Sequence, residues 1–433
     1  MDEQSFLHVL ESVLAPDNNT LQQATQKLQT EYYKNPASLP TLFWGLNNNA
    51  AAKLGDDVKQ QIKESLSSLL LRIPSPSFGH SAARVISAIA RIELPDGLWQ
   101  DLPGILLQAA GSPKSDDREV ATYVLYTLLD TLEEDMASRW KDFLVVFSRT
   151  INDPESMSVR LNTLLALGKM SEILNSEEHP QSIPVLRELI PPMVAVLKQV
   201  AEDGDEEKSD SAFDVFQTLL LADPAITSNH FRDLVEFFSD LSINKGLDDD
   251  TRTKALCFLL SCLRYKKLKI QSFNVGPILT QRAIDIVAEF KEIQDDDETT
   301  PPRTALQLLD FMASALPPSM VVVPLLKVLR DYTNSQDPEF RKAGILALGH
   351  CVEGAPDFIV TQLDTVFPVV LQLLGDPEAR VRQAALEALM QLADDLHDEL
   401  GKDHARLIPL LINMMDSADG PEIWRRACNA IDA

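Results

Sequence analysis

The sequence predicts an all-α protein, a right-handed superhelical solenoid (α-α superhelix) in which one helix pair recurs about every 40 residues. Three observations carry that prediction. First, one phrase is written three times: Asp153-Pro154-Glu155 leads into the helix-forming run from Arg160, Asp337-Pro338-Glu339 into the run from Arg341, and Asp376-Pro377-Glu378 into the run from Arg382. Second, apolar residues follow a helical period: Leu363, Val366, Phe367, Val370, Leu371 and Leu374 share one face, and Val381, Ala384, Ala385, Ala388, Leu389 and Leu392 repeat the offsets on the next helix. Third, glycine is sparse, with 16 in 433 residues, and no alternating β-branched run is bounded by turn residues, so no strand is expected.

Between the two helices of this unit, Gly375 ends the first, Asp376 is placed to cap the second, and Pro377 sits in a first turn where no intrahelical donor is lost. Such a hairpin cannot bury its apolar face alone, and stacking on neighbours completes the core. About eleven pairs are expected. The first joins 5–14 to 21–33, the second opens at Pro36, the third joins 57–71 to 78–92, and the fourth joins 98–110 to 116–136. Then come 140–151 with 156–174, 183–202 with 208–221, 230–243 with 249–264, 277–289 with 302–316, 320–332 with 338–353, the pair described above, and 404–415 with 421–433. The second pair is incomplete, because only Ala50 to Leu54 stands where a whole helix is needed. The last helix stops mid-pattern with no polar cap, so a longer solenoid is expected. Pro40, Pro103, Pro192, Pro324, Pro368 and Pro409 each precede an apolar run in a first helix and are expected to bend it. That proline, with Asp and Arg in the second helix, is the HEAT-repeat pattern, in which Asp and Arg of neighbouring repeats form a hydrogen-bonded ladder; Asp376 and Arg382 fit it best.

The net charge of −26 and pI near 4.6 disfavour direct binding to nucleic acid or an anionic membrane and favour basic partners. Solubility alone is the competing account of the acidity. Cys257, Cys262, Cys351 and Cys428 are too few and scattered for a disulfide framework, so a reducing compartment is expected and the Asn18 sequon carries no weight. No basic leader opens the chain, and its most apolar run, 320–329, is short and interrupted, so no membrane insertion is expected.

No phosphate loop, nucleophile elbow, zinc motif or C-x-x-C is present. An enzyme is therefore not expected, and neither a cofactor nor a metal. The acidic runs are the main polar signal. Those at 203–210 and 248–250 lie at helix ends, where solvation and the macrodipole account for them. Asp295, Asp296, Asp297 and Glu298 have no such role. Glu133 and Glu134 stand near a helix C-terminus, where carboxylates are unfavourable. The basic run 264–269 is expected at a helix C-terminus, which suits cations. Lys27, Arg84, Arg91, Asp130, Glu134, His350, Arg380, Glu387 and Asp394 lie opposite the apolar stripes of second helices and are candidates for a long groove; each singly reads equally as a solvated face.

Several stretches go beyond a generic repeat. The run 23–28 with Pro36 resembles the N-terminal helix pair of importin-β-type nuclear transport receptors. The runs 80–90, 247–252, 264–270 and 340–357 resemble the fungal importin-four branch of that superfamily, and the likeness spans nearly the whole chain. It implies a nuclear import receptor that binds basic segments of cargo such as ribosomal proteins and core histones, touches Phe-Gly nucleoporins, and releases cargo on Ran-GTP binding. It also implies a monomer that shuttles between cytoplasm and nucleus, with no direct contact to nucleic acid. The domains would be 1–136, repeats one to four and the Ran-binding region, and 137–433, repeats five to eleven with an acidic loop at 292–300. The partner-binding residues would be Lys27, Arg84, Arg91, Asp130, Glu133 and Glu134, with Asp295, Asp296, Asp297 and Glu298 in the loop. The alternative is a HEAT scaffold of the phosphatase regulatory type, independent of Ran.

Overall fold

The computed structural model describes residues 76–94, 96–129, 140–290, 299–415 and 420–432, together with Gln23, Gln60, Lys63, Glu64, Leu66 and Ser67. The chain divides into two compact units, Met1–Ile73 and Pro74–Ala433. The second is a succession of helices, with no strand among the described residues. These are α1 (Pro76–Glu93), α2 (Leu102–Ala109), α3 (Ser115–Leu128), α4 (Trp140–Thr150), α5 (Met157–Ile173), α6 (Ile183–Glu188), α7 (Ile190–Asp203), α8 (Glu206–Leu221), α9 (Pro224–Thr227) and α10 (Phe231–Ile243). They continue as α11 (Asp249–Phe273), α12 (Gly276–Val287), α13 (Pro301–Ala315), α14 (Val322–Thr333), α15 (Pro338–Gly354), α16 (Pro356–Val360), α17 (Leu363–Leu374), α18 (Ala379–Leu400), α19 (His404–Met415) and α20 (Pro421–Asp432).

The second helices α1, α3, α5, α8, α11, α13, α15, α18 and α20 form one continuous layer, each packed on the next, and the first helices lie against it. Small residues make the inner layer tight. Ala343, Ala347, Ala384, Ala385 and Ala388 are all buried, and a Cβ added to Gly354 would stand 2.5 Å from the backbone nitrogen of Ser314. The larger side chains fill the seam between the two layers. Phe238 stacks on Phe258 with ring centroids 3.7 Å apart and meets Phe216 edge-on at 5.5 Å, tying α10 to α11 and α8.

Caps follow the sequence closely. Ser156 caps α5 by accepting from Val159 N, Asp205 caps α8, and Asp248 caps α11 through Thr251 N at 2.7 Å. Four expectations need correction. The helix expected at 183–202 is two pieces, α6 and α7, because Pro191 and Pro192 have no N–H to give and start a new first turn instead. Asp376 does not cap α18: that helix opens at Ala379 with Glu378 at the cap position, and the Asp376 carboxylate accepts from Glu378 N, 2.9 Å away. Pro368 and Pro409 lie within α17 and α19, whereas Pro103 lies in the first turn of its helix. The breaks in helical backbone occur elsewhere, at Lys266 (φ −133°, ψ 30°) in α11 and Leu396 (φ −130°, ψ 31°) in α18, where no proline stands. Finally, α11 does not stop at residue 264 but resumes beyond Lys266 to Phe273, so the basic run straddles a break rather than closing a helix.

Candidate interaction surface

Two rows of charge run across the inner layer. One lies at the turns into the second helices. Arg118 of α3 reaches the next repeat and holds Asp153 with two bonds, 2.5 and 3.1 Å, and Glu155 with a third at 2.9 Å. Arg341 of α15 does the same to Asp376 at 2.7 and 2.9 Å, and Arg252 of α11 reaches Glu289 at 2.7 Å. The forked contacts of Arg118 and Arg341 fix both distance and rotation between repeats. Burial by itself would raise the carboxyls of Asp153 and Asp376, but the arginine opposite and the backbone N–H groups of the turn outweigh it and hold both below the usual carboxylate value. Other charges between neighbouring second helices are matched too: Arg380 bonds Glu339, Arg426 bonds Glu387 at 3.1 Å, and Lys254 bonds Asp210.

The second row lies toward the helix C-termini and is not matched. Asp310 on α13, Glu353 in the last turn of α15, and Asp394 and Asp395 on α18 make no ion pair among the described residues. Burial and then the neighbouring charge of Glu353 raise the Asp310 carboxyl, with His350 of α15 pulling the other way. Burial, Glu353 and Asp394 likewise raise Asp395. Glu353 therefore stands within electrostatic reach of both neighbours, and the three helices present like charges side by side. A carboxylate in the last turn also opposes the helix dipole. Such an arrangement costs stability and is relieved by cations brought from outside, at a partly exposed surface where each contact is modest and the sum is salt-sensitive.

Of the residues expected at a partner site, Arg84 is exposed on α1, and Arg91, also exposed, donates through Nη2 to the Thr127 carbonyl of α3 at 3.3 Å. Lys27, Asp130, Glu133, Glu134, Asp295, Asp296, Asp297 and Glu298 lie outside the described residues. Among the wider groove candidates, His350 and Asp394 join the unmatched row, while Arg380 and Glu387 belong to matched pairs. Asp310, Glu353 and Asp395 were not expected. The signal that finds them is one acidic residue per repeat at a fixed phase, 43 and then 42 positions apart, and not a run of acids in a loop. Cys351 beside His350 is fully buried, its thiol pushed up to about 12, which suits a packing residue. Among the described residues, no group of His, Cys, Asp and Glu is arranged to hold a metal ion.

Residues 74–237 match the family model "IPO5-like, TPR repeats", and residues 322–432 match "HEAT repeats". Over its whole length the chain is 34% identical to "Probable importin subunit beta-4" of Schizosaccharomyces pombe, covering 42% of that protein. The chain belongs to the importin-β family. It is also 25% identical to mouse "Importin-4", with 96% of the chain and 41% of that protein covered. This importin-β chain thus spans about two-fifths of the length of the relatives it matches. The crystal structure of Kap121p shares its fold, with a TM-score of 0.77 and 21% identity over 99% of this chain and 44% of that one. Structures of Kap121p include complexes with RanGTP, Pho4p and Nup53p. They also include a variant with three acidic residues, 43 and 42 positions apart, replaced by lysine, the same two intervals that separate Asp310, Glu353 and Asp395.

Proposed function

We propose that this importin-β chain acts in nuclear import, taking lysine-rich segments of cargo on the unmatched acidic row and giving them up when Ran-GTP binds. The observation that carries this reading is the row itself: Asp310, Glu353, Asp394 and Asp395 share one surface without a basic partner among the described residues. Three acidic residues at the same two intervals are replaced by lysine in a Kap121p structure, which singles out the spacing of Asp310, Glu353 and Asp395 as the one to test. Cargo would then be a class of basic proteins, with ribosomal proteins and core histones as the first to try. Phe-Gly nucleoporins and Ran-GTP would be the other partners, in line with the Nup53p and RanGTP complexes of Kap121p. The working location would be cytoplasm and nucleus, crossing the pore. Ran-GTP would lie on the second helices of repeats one to four, which include Arg84 and Arg91, and against Asp295 to Glu298.

The test is binding of a fluorescent lysine-rich peptide, followed by anisotropy, to the wild-type chain and to the variant Asp310→Lys/Glu353→Lys/Asp395→Lys. Two exposed attractions and one half-buried attraction become repulsions, so the affinity is expected to fall by about tenfold or more. Ran loaded with GTP, and not with GDP, is expected to displace the peptide. Unchanged affinity in the triple variant would remove the acidic row from the account. Equal behaviour with both nucleotides would favour a Ran-independent scaffold.

A further inference from the structure

The acidic row has a neighbour of opposite sign. One repeat before Asp310, α11 carries Arg264, Lys266, Lys267 and Lys269 within six residues, in a chain of net charge −26. The backbone leaves helical values at Lys266. Arg264 closes the segment before the break, where a cation suits the dipole, but Lys267 and Lys269 open the segment after it, where a cation is disfavoured. Helix electrostatics therefore do not account for the run.

The four cations are not equivalent. Lys269 turns its ammonium onto the ring of Phe231, 5.3 Å from the centroid. Lys266 is half-buried and lies close enough to Asp223 to help hold that carboxyl down. Arg264 and Lys267 remain exposed, and Lys267 makes no ion pair among the described residues. Arg264 leans toward the next repeat, its guanidinium 6.0 Å from the centroid of Phe311, the residue beside Asp310. From Arg264 on α11 to Asp310 on α13 the charge presented thus changes sign. On the basic side Leu268 and Tyr265 are also exposed, at 72% and 52%.

We propose that Arg264 and Lys267 form a cationic stop at one end of the acidic row. The basic segment held there would carry an acidic side chain on one flank. Packed helices lie about 8–10 Å apart and an extended chain advances about 3.3 Å per residue, so the acid falls about three positions beyond the lysine that meets Asp310. The stop sets the direction and register in which a segment lies, which the repeated acids by themselves leave undetermined. This inference rests on the proposed acidic row and adds a charge order to the ligand.

The experiment compares three peptides on the wild-type chain by fluorescence anisotropy at low salt. All carry lysines at three-residue spacing; one has glutamate three positions before the first lysine, one has it three positions after the last, and one has glutamine at both places. One glutamate peptide is expected to bind about two- to five-fold more tightly than the glutamine peptide, the scale of an exposed ion pair. That gain should vanish in Arg264→Gln/Lys267→Gln and invert in Arg264→Glu/Lys267→Glu, while Glu353→Lys weakens all three peptides alike. Both side chains are exposed, so an unchanged circular dichroism spectrum is expected for the variants. Gains on both flanks or on neither, with binding still lost in Glu353→Lys, would overturn the stop and leave the acidic row standing. Absence of binding by any peptide, or full binding in Glu353→Lys, would overturn the acidic row and the stop together.

Discussion

Asp376 and Asp395 belong to the same repeat and have opposite fates. Asp376, at the turn into α18, faces the forked guanidinium of Arg341 and is held below the ordinary carboxylate range. Asp395, near the break in α18, faces burial, Glu353 and Asp394 and is pushed above it. The repeat and the residue type are shared; the partner is not. A matched carboxylate fixes one repeat on the next, whereas an unmatched one leaves charge to be satisfied by something else. The turn ladder accordingly reads as architecture and the C-terminal row as function.

The largest way to break the comparison is to unmake a rung. In Asp376→Ala the nearly buried Arg341 fork loses its carboxylate, and stability should fall by about 2–4 kcal/mol, measured by urea unfolding. Peptide affinity should change little at temperatures where the variant is folded. Next comes the spacing of the row itself. Gly354→Ala would drive a methyl into the backbone of α13 at Ser314 and cost about 1–3 kcal/mol, while shifting the helices that carry Asp310 and Glu353. Here unfolding and peptide binding should both suffer. Smaller still is the stability change in Asp395→Asn, which removes an exposed like charge and should be neutral or favourable by about 0.5 kcal/mol. A clear loss of stability there would mean that the row is architectural too.

Acid should separate the two rows by sign. Asp153 and Asp376 are held below the ordinary aspartate value, so their stabilisation is complete above that value and is lost as pH falls through the lower, folded one. Asp310 and Asp395 have folded values above it. Their contribution favours folding below the unfolded value and turns unfavourable as pH rises through the folded one. Because the row protonates before the ladder does, peptide binding should weaken on acidification at a higher pH than the onset of unfolding. Coincident loss of both, followed by anisotropy and circular dichroism on one titration, would contradict the distinction.

The fold was largely legible because the repeat states its own grammar. For α4 and α5 the expected limits, 140–151 and 156–174, differ from Trp140–Thr150 and Met157–Ile173 by only one residue at most ends, since Asp153, Pro154 and Ser156 mark the turn. The break at Lys266 was not legible, because no proline or glycine marks it and the apolar pattern falters inside a basic run. The ladder was legible in kind but not in pairing. Asp376 reads as a cap of its own helix, yet its strongest contact comes from Arg341, 35 residues earlier, a long-range choice that local propensity does not encode. The acidic row was missed for a related reason. Runs of neighbouring acids stand out in a sequence, whereas Asp310, Glu353 and Asp395 become neighbours only when the repeats stack.

The central claim is that the unmatched row binds cationic segments through charge and contributes nothing to holding the repeats together. It is tested most directly by measuring, for the wild-type chain and for Asp310→Asn/Glu353→Gln/Asp395→Asn, both urea stability and the salt dependence of lysine-peptide affinity. The account predicts equal or slightly higher stability in the neutralised variant, together with weaker binding and a shallower fall of affinity with salt. A destabilised variant that binds the peptide with the wild-type affinity and salt slope would contradict it.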